Sequence, residues 1–268
     1  MTNEGGKSGI TEETGKSGIT EETGKTGMTT EAEKSGITGE TGKTGETGAR
    51  AGHTPAECLP PDMHRWRWPA RSHLWHYLKI IGALYLLFAL VYGGANYWAA
   101  QQRVHYHYFA EWERALPWLP GFIYVYFSIG LLFCLPLFVL NPRQISQLGR
   151  AAASCMGVAG ICFVLWPGTV GFVDPHSLQQ LDPLTRWLFA ALQQWDKPYN
   201  TAPSLHVALS VLVACATCWP RLQPRWLAWG VWCWLGLILA SVVLVHQHHL
   251  LDVFTGALLG LAGFVVYR

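Results

Sequence analysis

Two short stretches of the chain carry titratable side chains between long apolar runs. One of them, DKPYNTAPSLHVALS (196–210), contains His206, and the other, SVVLVHQHHLLDVFTG (241–256), contains His248 and Asp252. Ionisable groups flanked by such apolar segments are costly to bury and usually have a functional reason to be there. His248 and Asp252 are four residues apart, so they share a face if a helix begins near them.

Two histidines and one carboxylate are the groups that phosphoryl transfer through a covalent histidine requires. An unprotonated imidazole attacks phosphorus and divides one displacement into two easier steps. A carboxylate on its other ring nitrogen fixes the tautomer and stabilises the positive charge that develops, and Asp252 can do so for His248. A second histidine must protonate the leaving oxygen and then deprotonate the incoming water or alcohol. His206 is placed for that role.

The apolar run that follows Pro203 predicts a helix whose first turn contains Ser204 and His206. Free N–H groups and the helix dipole favour phosphate at such a helix start. We therefore predict that Ser204 contacts the substrate, together with Asn200 just before it. Ser204 could instead act only as the residue that starts the helix, which is the commoner role of a serine there.

Taken together, these motifs resemble the type-2 phosphatidic acid phosphatase superfamily. The matching residues are PSLH at 203–206 and the pattern Ser241-x6-His248-x3-Asp252. Within the superfamily, YNTAPSLHVALS and QHHLLDVFTGALLG look closest to the branch that includes inositol-phosphorylceramide synthases and related bacterial membrane phosphatases. The resemblance covers roughly residues 77–268. It implies a six-span lipid phosphatase or phosphotransferase that uses no metal ion and no other cofactor.

The resemblance also implies a role for each residue of the pattern. His248 is the expected nucleophile, Asp252 the carboxylate that orients it, and His206 the acid/base. We further expect Ser241 to contact the substrate, since it fits one helical stripe with His248 and Asp252 unless a turn near 246–249 interrupts the helix.

The chain departs from the superfamily pattern at the cationic positions. The superfamily has Ser-Arg where this chain has Ser241-Val242, and an earlier Lys-x6-Arg-Pro motif has no counterpart here. A phosphate dianion still needs cations to offset its charge. Lys197 is the nearest cation in the sequence and Arg186 is the next. We therefore predict that Lys197 binds the phosphate.

The composition of the chain is that of a membrane protein. Of its 268 residues, 50% are hydrophobic and only 13% are charged, whereas a soluble domain contains about 25% charged residues. Aromatic residues at 66–77 and 105–126 are interpreted as anchors in the headgroup region, where indole and phenol rings are favoured. Six apolar runs approach the ~20 residues of a membrane-spanning helix: 77–100, 119–140, 150–173, 203–219, 226–245 and 250–267. These runs predict an all-α fold, an integral membrane six-helix bundle.

The first 50 residues differ sharply from the rest of the chain. They repeat a nine-residue unit, GKSGITEET, and contain almost no apolar residues. Such a segment cannot bury enough surface to offset the entropy lost on ordering, which predicts disorder. The predicted organisation is a disordered repeat tail (1–50), a cytoplasmic juxtamembrane segment (51–76) and a six-span lipid phosphatase-like domain (77–268).

The distribution of Lys and Arg predicts the orientation in the membrane. Cytoplasmic loops carry an excess of these residues, and here they concentrate before the first apolar run, after the second and after the fourth. With six spans, those regions lie on one side, so both termini are expected in the cytoplasm. The histidine-bearing stretches then face outward, which is the periplasm if the protein lies in a bacterial inner membrane.

The predicted function is that of a membrane phosphatase acting on a lipid-linked phosphate monoester or pyrophosphate. Lipid phosphotransfer to a second alcohol is the first alternative. A non-catalytic or metal-binding membrane protein is the other, since His246, His248, His249 and Asp252 are all potential zinc ligands. Otherwise we expect His246 to be an interfacial polar group, and His249 to be a solvent-exposed neighbour rather than a substrate contact. The formal net charge of +2 gives no reason to expect a nucleic-acid partner. The expected partners are a lipid phosphate substrate and membrane lipids.

Overall fold

A computed structural model of the chain describes residues 68–172, 178–196, 199–219 and 224–268. The predicted repeat tail (1–50) and the juxtamembrane residues up to 67 lie outside these ranges. Lys197 lies outside them as well, whereas every other predicted site residue is described.

Helices make up the regular structure of these residues. They are α1 (Arg71–Ala100), α2 (Ile123–Phe127), α3 (Ile129–Val139), α4 (Pro142–Leu165), α5 (Pro183–Trp195), α6 (Leu205–Cys218), α7 (Arg225–Leu244) and α8 (Leu250–Tyr267). Short 3₁₀ turns lie at Glu111–Ala115, Pro120–Phe122 and Leu178–Gln180. The described residues contain no β-strand, only one isolated bridge between Tyr106 and Gly168. The predicted all-α fold is confirmed.

Five apolar segments are long enough to cross a membrane: α1, the stretch Pro120–Val139 that contains α2 and α3, α4, α7 and α8. α6 has 14 residues and is only about 21 Å long, shorter than the roughly 30 Å hydrocarbon core of a bilayer. It packs against α3, α4, α7 and α8 and buries most of its residues. A helix enclosed by other helices does not have to match the lipid thickness. Each predicted apolar run thus contains a helix, and the chain is an integral membrane protein.

The third predicted span, 150–173, is placed wrongly, because α4 begins at Pro142 and ends at Leu165. The side chain of Asn141 accepts the N–H of Gln144 (3.0 Å), and the N–H of Asn141 donates to the side chain of Gln144 (2.9 Å). This reciprocal pair is a capping box, and proline is favoured at the first position of a helix. The start signal therefore outweighs the polarity of the residues that follow.

α5 lies in a segment predicted to be a loop, 174–202. Asp182 caps it by accepting two N–H groups of its first turn (both 3.1 Å). Its buried side chains are Thr185, Phe189 and Leu192, spaced as one face of an amphipathic helix. That face packs against α2, so the loop between α4 and α6 is itself anchored to the bundle.

α8 approaches α6 so closely that two of its glycines touch the α6 backbone. A Cβ at Gly256 would lie 2.5 Å from the carbonyl oxygen of Ser204, and one at Gly260 would lie 2.4 Å from that of Ala208. Small residues four apart allow helix backbones to approach in this way in membrane proteins. The N–H of Ser204 also donates to the carbonyl oxygen of Asp252 (3.1 Å). The first turns of α6 and α8 are therefore held side by side.

The loops that follow α1, α4 and α7 meet at the same end of the bundle. The N–H of Tyr106 donates to the carbonyl oxygen of Pro167 (2.9 Å), and the carbonyl oxygen of Tyr106 accepts the N–H of Thr169 (3.1 Å). The N–H of Leu119 donates to the carbonyl oxygen of Leu244 (2.9 Å). These bonds place three loops around the starts of α6 and α8, which is where the predicted catalytic residues lie.

Candidate active site

His248 and Asp252 lie on either side of the start of α8, and both are buried, with 3% and 1% of their surface exposed. After α7 the chain turns at His246, whose backbone is left-handed (φ 61°). The N–H of His248 donates to the carbonyl oxygen of Val242 (3.0 Å). Nδ1 of His248 lies 3.6 Å from Oδ2 of Asp252, and the same oxygen accepts the N–H of His249 (2.9 Å). The carboxylate therefore caps α8 and also faces the ring of His248.

His206 meets His248 across the contact between α6 and α8. Its Nδ1 lies 3.4 Å from Nε2 of His248. Ser204 is the N-cap of α6, and its buried hydroxyl oxygen accepts the N–H of Val207 (3.4 Å). The three predicted catalytic side chains thus form one row, in which Asp252 faces His248 and His248 faces His206.

The row continues through residues that the sequence did not single out as functional. Oη of Tyr126 lies 2.9 Å from Nε2 of His206 and 3.5 Å from Oδ2 of Asp196. The other oxygen of Asp196 accepts a hydrogen bond from the hydroxyl of Tyr92. Tyr126 is buried (4% exposed), so its interpretation as an interface anchor is wrong. Asp196 could have been found, because it opens one of the two polar stretches, but no local pattern marks Tyr92 or Tyr126.

Three of the predicted substrate contacts, Asn200, Ser204 and Ser241, lie in the described ranges, and the hydroxyls of both serines bond the protein itself. The side-chain amide of Asn200 donates to the carbonyl oxygen of Tyr92 (2.9 Å), while its own buried oxygen has no partner among the described residues. Ser204 accepts a bond as the cap of α6. Ser241 is buried inside α7, and its hydroxyl donates to the carbonyl oxygen of Ile238 (2.7 Å).

Cations do not contact the row within the described ranges, where no Lys or Arg side chain bonds to either histidine or to Asp252. Arg186, the second cation candidate, donates to three backbone carbonyl oxygens of the turn before α5, those of Leu178, Gln179 and Leu181. Its guanidinium therefore holds that turn. The predicted role of Lys197 falls outside the described residues.

His249 joins two loops to the start of α8, and the expectation of a wet neighbour is wrong because it is 1% exposed. The N–H of Gly171 donates to its Nε2 (3.0 Å), so the ring proton is on Nδ1, which lies 3.3 Å from Oε2 of Glu113. Burial lowers the pKa of His249, although two nearby carboxylates oppose this. Burial raises the pKa of Glu113, but the N–H groups of Ala110 and Leu250 together with His249 bring it below its ordinary value.

The ring nitrogens of the three histidines between α7 and α8 have separate partners. The ring of His249 stacks between Phe109 (centroids 4.2 Å apart) and Phe172 (4.1 Å), and Phe172 also stacks on His246 (4.0 Å). Nε2 of His246 lies 3.1 Å from a backbone carbonyl oxygen, and His248 faces the row. The alternative zinc site of these histidines with Asp252 is therefore not assembled.

A different group of potential ligands does come together. Ligand atoms of Asp196, His206 and His248 lie within 4.8 Å of one another. In the structure these atoms already contact each other, the histidines directly and Asp196 through the hydroxyl of Tyr126. We interpret the group as a hydrogen-bonded row, because Tyr126 lies between the carboxylate and the imidazole.

A cavity of about 330 Å³ lies between α1, α3, α4 and α6 and has His206 in its wall. Apart from His206 and two tyrosines, its described walls are apolar, with contributions from Leu84, Phe88, Phe133, Met156 and Leu209. The site therefore joins a polar row at one end of the bundle to an apolar space inside it.

Comparison with known families agrees with the motifs. Residues 101–266, more than half of the chain, match the family model of the PAP2 superfamily, the type-2 phosphatidic acid phosphatase superfamily that the two histidine-bearing stretches resemble. The match includes both stretches and Tyr126. No curated protein and no solved structure matches the chain significantly. The chain belongs to the PAP2 superfamily.

Proposed function

We propose that the protein is a membrane phosphatase that hydrolyses a lipid-linked phosphate monoester or pyrophosphate through a phosphohistidine intermediate. Membership of the PAP2 superfamily supports phosphatase-type chemistry. The proposal of a lipid substrate rests on the apolar cavity that has His206 in its wall. A hydrocarbon chain in this cavity would leave its phosphate ester beside the row of His206, His248 and Asp252.

In the first step, Nε2 of His248 attacks phosphorus and the bond from phosphorus to the leaving oxygen breaks. Asp252 stabilises the charge that develops on the imidazole, since its carboxylate lies 3.6 Å from Nδ1. The leaving oxygen takes a proton from His206. The facing nitrogens of the two histidines are 3.4 Å apart, so both are within reach of one phosphorus–oxygen bond.

In the second step, water replaces the departed lipid alcohol. His206 takes a proton from the water, the oxygen attacks phosphorus, and the bond between phosphorus and His248 breaks. Inorganic phosphate leaves and both histidines return to their starting state. The same residue is acid in one step and base in the other, as a two-step displacement requires.

The phosphate oxygens need donors, and we propose Lys197, Asn200, Ser204 and Ser241 together with the first amides of α6. The oxygen of Ser204 accepts an N–H, which leaves its hydroxyl proton able to point at a phosphate. Ser241 has to exchange its bond to a backbone carbonyl before it can donate. We therefore expect Ser204 to contribute more than Ser241.

A lipid phosphotransferase is the second candidate. It is favoured by the likeness of both motifs to those of inositol-phosphorylceramide synthases and by the absence of Lys or Arg from the row among the described residues. A phosphodiester has a single negative charge at the reacting phosphorus, so it needs fewer cations than a monoester dianion. In this reaction a second alcohol replaces water in the second step.

We also propose that the protein lies in a bacterial inner membrane with both termini in the cytoplasm and the row facing the periplasm. The proposal is supported by the Lys and Arg distribution. Glu111 has 83% of its side chain exposed in the loop after α1. A cysteine at position 111 should react with an impermeant reagent added outside spheroplasts, and reaction only after lysis would reverse the orientation.

Product analysis decides between the two chemistries. The purified protein in detergent is given phosphatidic acid, a polyprenyl pyrophosphate, or phosphatidylinositol with a long-chain alcohol, and both free phosphate and new phosphodiester are measured. A phosphatase releases phosphate from the first two, whereas a transferase forms a new diester from the third. His248→Gln should abolish turnover, and His107→Gln, which changes an exposed histidine, should not. Inactivity of the folded wild-type protein on every substrate contradicts the proposal.

A further inference from the structure

The row of polar groups does not end at His206. It runs from Asp252 through His248, His206 and Tyr126 to Asp196, with facing atoms 3.6, 3.4, 2.9 and 3.5 Å apart. Both ends are carboxylates, and an ionised carboxylate can only accept hydrogen bonds. The protons of the row therefore belong to the three groups between its ends.

Counting these protons shows that a neutral row is one proton short. Each of the three shorter contacts needs one proton between its two atoms, and the carboxylate of Asp252, 3.6 Å from Nδ1 of His248, favours a further proton on that nitrogen. A neutral tyrosine and two neutral histidines supply three. One more proton converts one histidine into an imidazolium, which has a proton on both ring nitrogens, and the three shorter contacts and the nitrogen that faces Asp252 then each have a proton.

We infer that Asp196, acting through Tyr126, keeps this additional proton on His206, so that His206 enters the first step as a charged general acid. The inference rests on the proposed function. In this state Nε2–H of His206 donates to Tyr126, and the hydroxyl of Tyr126 donates to Asp196. Nδ1–H of His206 points toward His248. Asp196 and Tyr126 are positioning residues, because neither has to touch the substrate.

A half-buried imidazolium such as that of His206 needs a nearby negative charge, since desolvation disfavours the charged form. Ligand atoms of Asp196 and His206 lie within 4.8 Å, a separation at which an opposite charge favours the charged form and opposes desolvation. Among the described residues, the other titratable groups that face His206 or its partners are His248 with Asp252 behind it, Tyr92 on Asp196, and Tyr77 and Tyr85 in the cavity wall.

Two tyrosine hydroxyls hold the carboxylate of Asp196 in place as a hydrogen-bond acceptor. One oxygen faces Tyr126 and the other accepts the hydroxyl of Tyr92, whose carbonyl oxygen in turn accepts the amide of Asn200 (2.9 Å). Within the described ranges no Lys or Arg pairs with Asp196, so no such pair competes for its charge. Tyr126 also separates the carboxylate from the phosphate, which an unshielded Asp196 would repel.

His206 loses one proton in the first step of the reaction and regains one in the second. In the first step the proton on Nδ1 of His206 passes to the leaving oxygen, and His206 becomes neutral while His248 becomes phosphorylated. In the second step the attacking water gives its proton back to His206. The imidazolium opposite Asp196 is restored when phosphate leaves.

An NMR titration of histidine tests the inference without relying on activity. Full-length protein in detergent is labelled with ¹³C at histidine Cε1, and the His206 signal is assigned by its loss in His206→Gln. In Asp196→Asn, His206 should lose its proton at a pH lower by roughly one unit or more, and Tyr126→Phe should shift it in the same direction. An unchanged midpoint in whichever of these variants folds overturns the inference.

Matched controls come from the same elements. Asp182→Asn changes a carboxylate that caps α5, and Tyr124→Phe removes a hydroxyl that bonds Thr185 (2.7 Å). Both lie outside the row and should leave the His206 midpoint where it is in the wild-type protein. A shift as large as that of Asp196→Asn in either control also overturns the inference.

Leaving-group dependence gives a second readout. Short-chain phosphatidic acid has a poor alkoxide leaving group that needs protonation by the general acid. The leaving group of p-nitrophenyl phosphate, p-nitrophenolate, departs without a proton. Because general acid catalysis contributes about 10²- to 10⁴-fold, Asp196→Asn should lose at least about tenfold more kcat on the first substrate than on the second. Equal losses contradict the role of Asp196. If the wild-type protein releases phosphate from neither, the proposed function fails, and the NMR titration still decides the protonation of His206.

Discussion

Gly256 is the position at which a single methyl group should separate the two halves of the active site. An added Cβ would lie 2.5 Å from the carbonyl oxygen of Ser204, 3.1 Å from Cβ of Val207 and 3.2 Å from the backbone nitrogen of Ser204. Ordinary van der Waals contact begins at 3.4 Å. Because two of the three atoms are backbone and cannot rotate away, Gly256→Ala should move α8 from α6 by about 0.9 Å.

This displacement should affect catalysis more than folding. Gly256 is one turn from Asp252, and the facing nitrogens of His206 and His248 are only 3.4 Å apart. A misplacement of about 1 Å can cost roughly 10²-fold in rate, so kcat of Gly256→Ala should fall by about that factor. Overpacking costs roughly 1–3 kcal/mol, so the variant should remain folded with a lowered Tm.

The assay is kcat for phosphate release by purified variants, with thermal unfolding in the same detergent. Gly236→Ala is the control, because its Cβ meets no atom within 4 Å and it should keep wild-type kcat. Gly263→Ala should lower kcat less than Gly256→Ala does. Its Cβ would meet a side-chain atom, Sγ of Cys155, which can move aside, and position 263 is farther from the row. A folded Gly256→Ala with wild-type kcat would refute the coupling of helix separation to catalysis.

Three further predictions concern the residues around the row. His248→Gln should abolish turnover, whereas His249→Gln should retain substantial activity because His249 contacts the loops and not the row; the reverse order in a kcat assay would exchange their roles. Activity should survive exhaustive treatment with EDTA, since no step needs a divalent ion, and loss with recovery on added zinc would favour metal ligation. Stability should fall on acidification, because the folded-state pKa values of His249 and Glu113 are both lowered. Their contributions to the free energy of unfolding are complete above the unfolded-state pKa values, about 6.5 and 4.3. These contributions are lost as the pH falls through the folded-state pKa values. His249→Phe should therefore flatten Tm between pH 7 and 5, and an unchanged slope would argue against this origin.

The spacing of His248 and Asp252 could be read from the sequence because a helix start is a local event. Asp252 lies in the first turn of α8 and turns back to bond the N–H of His249 (2.9 Å), so it faces His248 even though that residue precedes the helix. Ser204 likewise caps α6 next to His206. These contacts depend on residues three or four positions apart, which a pattern can reveal.

Tyr126 could not be found in this way. It is 80 residues from His206 and 70 from Asp196, and it lies in an apolar, aromatic run with no polar periodicity around it. Its role depends on the contact that its hydroxyl makes with His206 in the first turn of α6. His249 presents the same difficulty, because its neighbour His248 has the same chemistry, and only distant partners, Glu113 and Gly171, distinguish the two rings.

Lys197 remains the predicted source of positive charge, and its replacement separates the two proposed reactions. With the carboxylates of Asp196 and Asp252 and one imidazolium, the row has one net negative charge, to which a monoester dianion adds two. Lys197 directly follows Asp196, so their Cα atoms are about 3.8 Å apart. A charge-assisted hydrogen bond contributes roughly 1.5–3 kcal/mol, so Lys197→Ala should lower kcat/KM for phosphatidic acid by about 10- to 150-fold. Lys197→Arg should preserve part of the wild-type kcat/KM. Arg186→Ala should lower kcat/KM less than Lys197→Ala does, because the guanidinium of Arg186 bonds the turn before α5. A phosphodiester substrate should be affected less than a monoester, and wild-type kcat/KM of Lys197→Ala on phosphatidic acid would refute the role of this lysine in holding the phosphate.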